Sequence, residues 1–314
     1  MRDVQLQDKS TGSSARVLVD LGFNCYQWCV SFDDGVRDLL WAEEGFATGE
    51  RRASGSGIPL LFPFPGRIGN GQFDYEEKTY LVNHDAARAH ALHGFLLNRP
   101  WRLVEQADDY VTAAFQASVD DPAILHQWPG DFAFEATYRL AGRELQFEAE
   151  ITNTGYESLP WAFGTHAYFR VPLSEQSAVE DTVLTVPVDA EWLMDDMLPT
   201  GELAELPPNL TLSAGVKLGE RSFDTPYRLA SKSGRVETIV SDPASGRRVV
   251  QSYEGADFPC AVIYTPAHRE AVCIEPYSCV PDPFRLESQG VPTGLRKLEP
   301  GETTRVEFVL RADG

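Results

Sequence analysis

The clearest pattern along the chain is strict alternation. Phe132, Phe134, Ala136, Tyr138 and Leu140 fall on one face of a run, and Leu145, Phe147, Ala149 and Ile151 on one face of the next. Ala141-Gly142 lies between them. Period-two apolar residues on both sides of a short glycine-containing turn predict an antiparallel hairpin. Further runs of strand length predict strands over 16–21, 25–32, 101–106, 110–118, 161–169, 182–188, 247–253, 260–265, 271–275 and 303–310. Helical periodicity is scarce, and only the Ala-rich stretch 85–93 suggests a turn or two. Regular helices do not separate the runs, which argues against a doubly wound parallel sheet. An all-β fold is expected, with two large antiparallel sheets packed face to face as a sandwich. Residues 197–219, with several Pro and Gly, read as a long surface loop. With no repeat and no low-complexity linker, one domain over 1–314 is expected.

Composition narrows the function. The 314 residues are 43% hydrophobic and 24% charged, enough for a sizeable core. Net charge is −20, from 47 acidic and 27 basic residues. A field of that sign repels phosphate backbones and anionic membranes. Nucleic acid and membrane are therefore not expected as partners, and a neutral small molecule is the easiest ligand to accommodate. A phosphorylated ligand needs a local cationic cluster. The N-terminus, MRDVQLQDKS, lacks the apolar segment of a signal peptide. Together with an odd count of five Cys, this points to free thiols in a reducing, cytoplasmic setting. Cys25 and Cys29 lie on one strand about 13 Å apart, too far for a disulfide.

A few residues invite chemistry. His93 sits in ALHGF, where Gly94 allows a close approach. His166 sits in WAFGTHAYFR and by alternation shares a face with Gly164 and Tyr168. Alone it is more readily a core histidine with satisfied hydrogen bonds. Glu275 ends the apolar run Ala271-Val-Cys-Ile-Glu, and an unpaired buried carboxylate is too costly to persist idly. A structural pairing with Arg67 or Arg285 is its plain alternative. Arg67 sits in LLFPFPGRIGNG, a rigid loop that aims a guanidinium or is held by an ion pair. His84, His90 and His93 lack the H-E-x-x-H pattern and an evident completing carboxylate, so no metal is expected. Neither a Walker loop nor a nucleophile elbow is present.

The order GRIGNG, then LHGF with Trp101 close behind, then THAYF, then IEPYS, resembles the aldose 1-epimerases, or galactose mutarotases. The closing Gly290-Val-Pro-Thr-Gly-Leu and Leu-Glu-Pro-Gly-Glu are similar too. The resemblance runs from about residue 20 to the C-terminus. It implies the supersandwich fold and interconversion of the α and β anomers of a free aldose, without a cofactor. It implies Glu275 as general base, His166 as general acid, and His93 and Arg67 as sugar-positioning residues. Asp224, in SFDTPY, matches a substrate-binding Asp. Gly71 stands where many members carry a second Arg.

Mutarotation needs a proton off the anomeric hydroxyl and a proton onto the ring oxygen, which a carboxylate and an imidazolium supply. A nearby carboxylate and a negative protein field both favour imidazolium, so a raised His166 pKa is expected. A hexose-6-phosphate mutarotase is the related alternative, with Arg51, Arg52, Arg88 and Arg99 as candidate cations. A sugar-binding module or a carbohydrate lyase or hydrolase on the same sandwich are the others.

Overall fold

The computed structural model describes residues 1–231 and 233–314. The predicted hairpin is its centre. Phe132–Ala141 and Glu144–Asn153 pair along their whole length, Phe132 opposite Asn153 and Ala141 opposite Glu144. They lie in a nine-stranded sheet in the order Arg102–Gln106, Tyr110–Gln116, the hairpin, Thr303–Asp313, Arg247–Glu254, Arg235–Asp242, Val183–Thr185 and Val216–Lys217. A second sheet runs Leu198–Glu205, Val188–Asp195, Asp224–Leu229, Cys260–Tyr264, Ala271–Tyr277, Gly164–Thr165 and Leu60–Leu61. Tyr168–Arg170 joins it against Ala271–Tyr277. A four-stranded sheet formed by Asp3–Asp8, Ser13–Leu18, Asn24–Phe32 and Gly35–Asp38 completes the N-terminal part. Every strand pair is antiparallel, as the alternation predicts.

The two large sheets share one core. Phe134, Phe147 and Phe308 from the first belong to the same buried cluster as Tyr227, Ile263, Val272 and Ile274 from the second. Phe163 bridges them, stacking on Phe147 with ring centroids 5.9 Å apart. Alternation then sorts the second sheet. Val272 and Ile274 enter this core, while Cys273, Glu275 and Tyr277 point to the opposite face. That outer face carries the cavity described below.

Several expectations need correction. Residues 197–219 are not a loop: Leu198–Glu205 pairs with Val188–Asp195, and Val216–Lys217 ends the other sheet. Leu198–Glu205 is an edge strand, largely exposed and carrying Pro199 and Gly201, so no apolar alternation marks it. Residues 85–93 form no helix, and only Ala91–Leu92 is regular, paired with Arg67–Ile68. The run 161–169 is broken into Leu159–Trp161, Gly164–Thr165 and Tyr168–Arg170. Strand 110–118 stops at Gln116, where Ala117–Asp120 makes a helical turn. The N-terminal strand Asp3–Asp8 carries too few apolar residues to have been predicted. All five cysteines are free thiols. Among the described residues no helix is long and apolar enough to cross a membrane.

One close approach fixes the segment that carries His93. Gly94 bridges Phe62, and Phe95 N–H donates to Phe62 C=O at 2.8 Å. Gly94 has φ +70°, and a Cβ there would lie 2.1 Å from the Phe62 carbonyl oxygen. Gly94→Ala is therefore expected to destabilise the protein by about 2–3 kcal/mol, through left-handed strain and backbone collision. An unchanged urea-unfolding midpoint would contradict the contact.

Candidate active site

The register of the second sheet creates the site. Tyr277 lies opposite Gly164, and Tyr168 opposite Cys273. The same register puts residue 166 opposite residue 275, and the two side chains meet there: His166 Nε2 lies 3.2 Å from Glu275 Oε1. On the other side Val262 faces Glu275, and Tyr264 faces both Cys273 and Asp224. Asp224, Tyr264, Glu275 and Tyr277 thus reach one cavity from three adjacent strands. The cavity measures about 190 Å³.

His93 and Arg67 close it from the side. His93 is held in a left-handed conformation, φ +67°, by a two-way contact with Gly66. Its N–H donates to Gly66 C=O at 2.8 Å, and its Nδ1 accepts the Gly66 N–H at 3.3 Å. An accepting Nδ1 leaves the proton on Nε2, so a neutral His93 offers an N–H donor. Arg67 is aimed by Asp282, whose N–H donates to Arg67 C=O at 2.8 Å and whose carboxylate accepts Gly69 N–H at 3.0 Å. Arg285 pairs with Asp282 and not with Glu275. Among the described residues the Arg67 guanidinium has no ion pair, which removes the alternative of a loop-holding salt bridge. Gly71 has no room for the Arg of the family pattern, since a Cβ would sit 2.5 Å from His84 Nδ1 and 2.7 Å from Val82 C=O.

All five candidates, Arg67, His93, His166, Asp224 and Glu275, therefore line one cavity. The sequence did not reveal the role of Tyr277, whose hydroxyl donates to Glu275 Oε2 at 2.5 Å. Nor did it reveal Tyr264, or Met194 and Met197 on the hairpin of the edge strands. His90 seats that hairpin: its Nδ1 accepts Asn70 N–H at 3.1 Å, leaving Nε2–H to donate to Asp196 C=O at 3.0 Å. Tyr168 stacks on His166, ring centroids 4.8 Å apart and 12° between planes. His93 meets His166 edge to face at 5.5 Å.

Electrostatics correct the expected imidazolium. Burial pushes the His166 pKa down to about 3; its own backbone carbonyl opposes this and Arg52 adds to it. Burial likewise holds His93 well below its ordinary value, helped by His166 and Arg67. Burial pushes Glu275 well above the carboxylate range; Tyr277 lowers it, Asp224 raises it, and Arg67 lowers it. An ionised Glu275 would favour imidazolium across 3.2 Å, but burial disfavours charge on both partners. The two groups sit close enough to titrate as a pair, and burial favours the state in which neither carries a charge. Asp224 is raised by burial and lowered by Arg67.

One proton shared by a carboxyl and an imidazole, beside a fixed donor on His93 and a guanidinium, suits proton transfer between two nearby oxygens. The donor atoms of His166, Cys273 and Glu275 also lie within 4.8 Å of one another. They suit a metal poorly, because burial and Glu275 push the Cys273 thiol well up, away from the thiolate a metal needs.

A family model described as Aldose 1-epimerase matches residues 6–311. YphB of Escherichia coli K12 is 25% identical over 298 residues, covering 90% of this chain and 94% of that protein. Plasmid LacX of Lactococcus lactis is 23% identical, covering 78% and 79%. Among solved structures, a galactose mutarotase-like protein from Clostridium acetobutylicum has a TM-score of 0.85 at 22% identity, with 100% and 99% covered. The GalM/aldose epimerase homologue from C. elegans has 0.81 at 20% identity, with 99% and 98% covered. These structures share the galactose mutarotase-like β-sandwich.

The Tyr277 hydrogen bond holds the Glu275 pKa down against burial. Tyr277→Phe should therefore raise it further, moving the carboxyl titration to higher pH. Carbon-13 NMR of the Glu275 side chain reads this directly; a shift to lower pH would refute the assignment.

Proposed function

The chain belongs to the aldose 1-epimerase family, and from that premise and the pocket's geometry we propose that it interconverts the α and β anomers of an aldose with a free C1 hydroxyl. The observation that carries this is the 3.2 Å contact between His166 Nε2 and Glu275 Oε1 on the cavity floor. The two oxygens that must exchange protons, O1 and the ring oxygen O5, share one carbon. A base and an acid side by side can reach both.

Glu275 accepts the O1 proton while His166 Nε2–H gives its proton to O5. The C1–O5 bond breaks, its electron pair going to O5, and C1–O1 becomes the aldehyde. Rotation about C1–C2 and the reverse transfers close the ring on the other face. Protons balance over the cycle, and the pair ends as it began.

The substrate supplies what burial removes. Without it the shared proton has little reason to leave the carboxyl. A sugar O1–H donating to one carboxyl oxygen, with Tyr277 on the other, favours the carboxylate and moves the proton to Nε2. Arg67 acts in the same direction. The His93 Nε2–H is placed to hold a sugar oxygen without competing for the proton, since its own pKa is depressed. The acceptor at Asp224 takes a ring hydroxyl.

Glu275→Gln and His166→Asn should each slow anomer exchange by about 10²–10⁴-fold. Two-dimensional exchange NMR on unmodified sugars measures this. A Glu275→Gln enzyme that keeps the wild-type rate would sink the proposal.

The pH profile gives an independent check. The active form carries one proton on the pair. Adding a second must charge His166, which burial resists, and losing the only one must ionise Glu275, which burial also resists. As pH falls through about 6.5, the ordinary histidine value, kcat/KM should not drop. A loss of rate centred there would mean a freely titrating histidine.

A further inference from the structure

One histidine that the sequence singles out has no part in the proton transfer. His90 is buried and lies outside the cavity wall. It sits against the hairpin that carries Met194 and Met197 into that wall. The tip of this hairpin projects beyond its sheet. Pairing of Val188–Asp195 with Asp224–Leu229 stops at Glu191, opposite Tyr227. Past that point the two hairpin strands pair only with each other. Between them Asp196 and Met197 are both left-handed, at φ +45° and +63°, as a two-residue hairpin turn requires.

Among the described residues, two side chains tie this tip down by hydrogen bonds. His90 Nε2–H donates to the Asp196 carbonyl at 3.0 Å, while Nδ1 accepts Asn70 N–H at 3.1 Å. Arg285 donates to the Pro199 carbonyl at 2.5 Å and pairs with Asp282, whose carboxylate accepts Gly69 N–H. Leu198 lies over Gly69, where a Cβ would meet its Cδ1 at 3.1 Å. Both ties therefore run to residues 69–70, on the loop that carries Arg67. His90 also begins a segment that serves the cavity throughout. Its next residues, Ala91 and Leu92, pair with Ile68 and Arg67, and His93 enters the cavity itself. One short segment thus sets the His93 imidazole, the Arg67 backbone and the Met-bearing tip in register.

We propose that His90 is a positioning residue for the substrate: by fixing the Asp196 turn it sets Met194 and Met197 as the apolar wall on which a C–H face of the sugar packs. This rests on the mutarotase function and names a residue that serves its binding step. A pyranose carries hydroxyls around its rim and C–H groups on its faces. His93, Arg67 and Asp224 are placed for the hydroxyls, and the two thioethers add apolar surface to the same cavity. A Met side chain has three rotatable bonds and adapts to irregular shapes. It makes a defined wall only where its backbone is held, and at a projecting tip side-chain ties must do the holding. Imidazole suits this place because one ring nitrogen accepts while the other donates. The apparent affinity for sugar scales with the fraction of molecules whose tip is seated. His166 and Glu275 are untouched by the tie, so its loss weakens binding and spares the chemical step.

Exchange NMR on glucose and galactose, with KM and kcat separated, tests this in four variants. His90→Leu keeps the volume and removes both hydrogen bonds. It should raise KM about fivefold, the scale of one lost intramolecular hydrogen bond, with kcat within about twofold of wild type. His90→Gln keeps a donor for Asp196 and should recover most of the loss. Met197→Ala alters an exposed side chain, so the fold is not at stake, and it should raise KM in the same way. Because both residues act through one wall, the double variant His90→Leu, Met197→Ala should be little worse than the worse single one. An unchanged KM in Met197→Ala, effects that simply multiply, or a fall in kcat at constant KM would each overturn the role of His90 and leave the mutarotase function standing. If His90→Leu does not fold, Met197→Ala and His90→Gln decide. Calorimetry with 1,5-anhydroglucitol, which has no C1 hydroxyl and cannot mutarotate, measures binding alone and should show the same ratios. If wild-type protein turns over no sugar, the mutarotase function fails. The calorimetric ratio then decides: weaker binding in the variants supports the role of His90, and equal or absent binding overturns it.

Discussion

The pocket answers to the register between Ala271–Tyr277 and the broken strand opposite it. Residues 164, 166 and 168 face 277, 275 and 273. The period of two puts Val272 and Ile274 in the core, so Glu275 must emerge on the other face. A slip by one residue would drive a carboxyl into aromatic packing and expose two β-branched side chains. The cost of burying that carboxyl among Phe and Val is several kcal/mol. The same energetics that pin the sheet therefore set His166 and Glu275 side by side. Burial then does the rest, removing charge from both and leaving one proton to be shared.

The rim is held by a different device. His93 and Asp282 are both non-glycine residues in the left-handed region, at φ +67° and +58°. Each is tied through the backbone rather than by its neighbours in sequence. His93 exchanges two bonds with Gly66, and Asp282 clamps Arg67 and Gly69. Strain of this kind persists only where surrounding contacts over-determine it. Here it turns an imidazole and a guanidinium towards the same space without spending their side-chain donors on holding themselves.

The fold was largely legible because alternation is a local signal. The hairpin Phe132–Ala141 and Glu144–Asn153 declared itself, and so did the shared face of Gly164, His166 and Tyr168. Leu198–Glu205 did not: at a sheet edge, solvent on both sides removes the alternation that burial would impose. Each site residue was visible singly by its setting, and the family motifs supplied their grouping. What no local pattern carried was the register that joins His166 to Glu275, or the Tyr277 hydroxyl on the carboxyl. The sign of the His166 shift was misjudged for a physical reason. Net charge and a nearby carboxylate argue for imidazolium, but both are outweighed once the imidazole and the carboxyl are themselves buried.

The same correction applies to net charge as a guide to ligands. At −20 the chain repels anions at a distance, but exposed charges are screened over about 8 Å at physiological ionic strength. Inside a cavity the nearest groups dominate. Those groups are Arg52, Arg67 and Arg88, set against Asp224 and a Glu275 whose charge burial opposes. A protein can thus be strongly acidic overall and still present a cationic pocket. Raising the Glu275 pKa removes a negative charge from the floor just where the guanidiniums face it. The burial that readies the pair to share a proton is also what leaves the pocket's positive charge unbalanced.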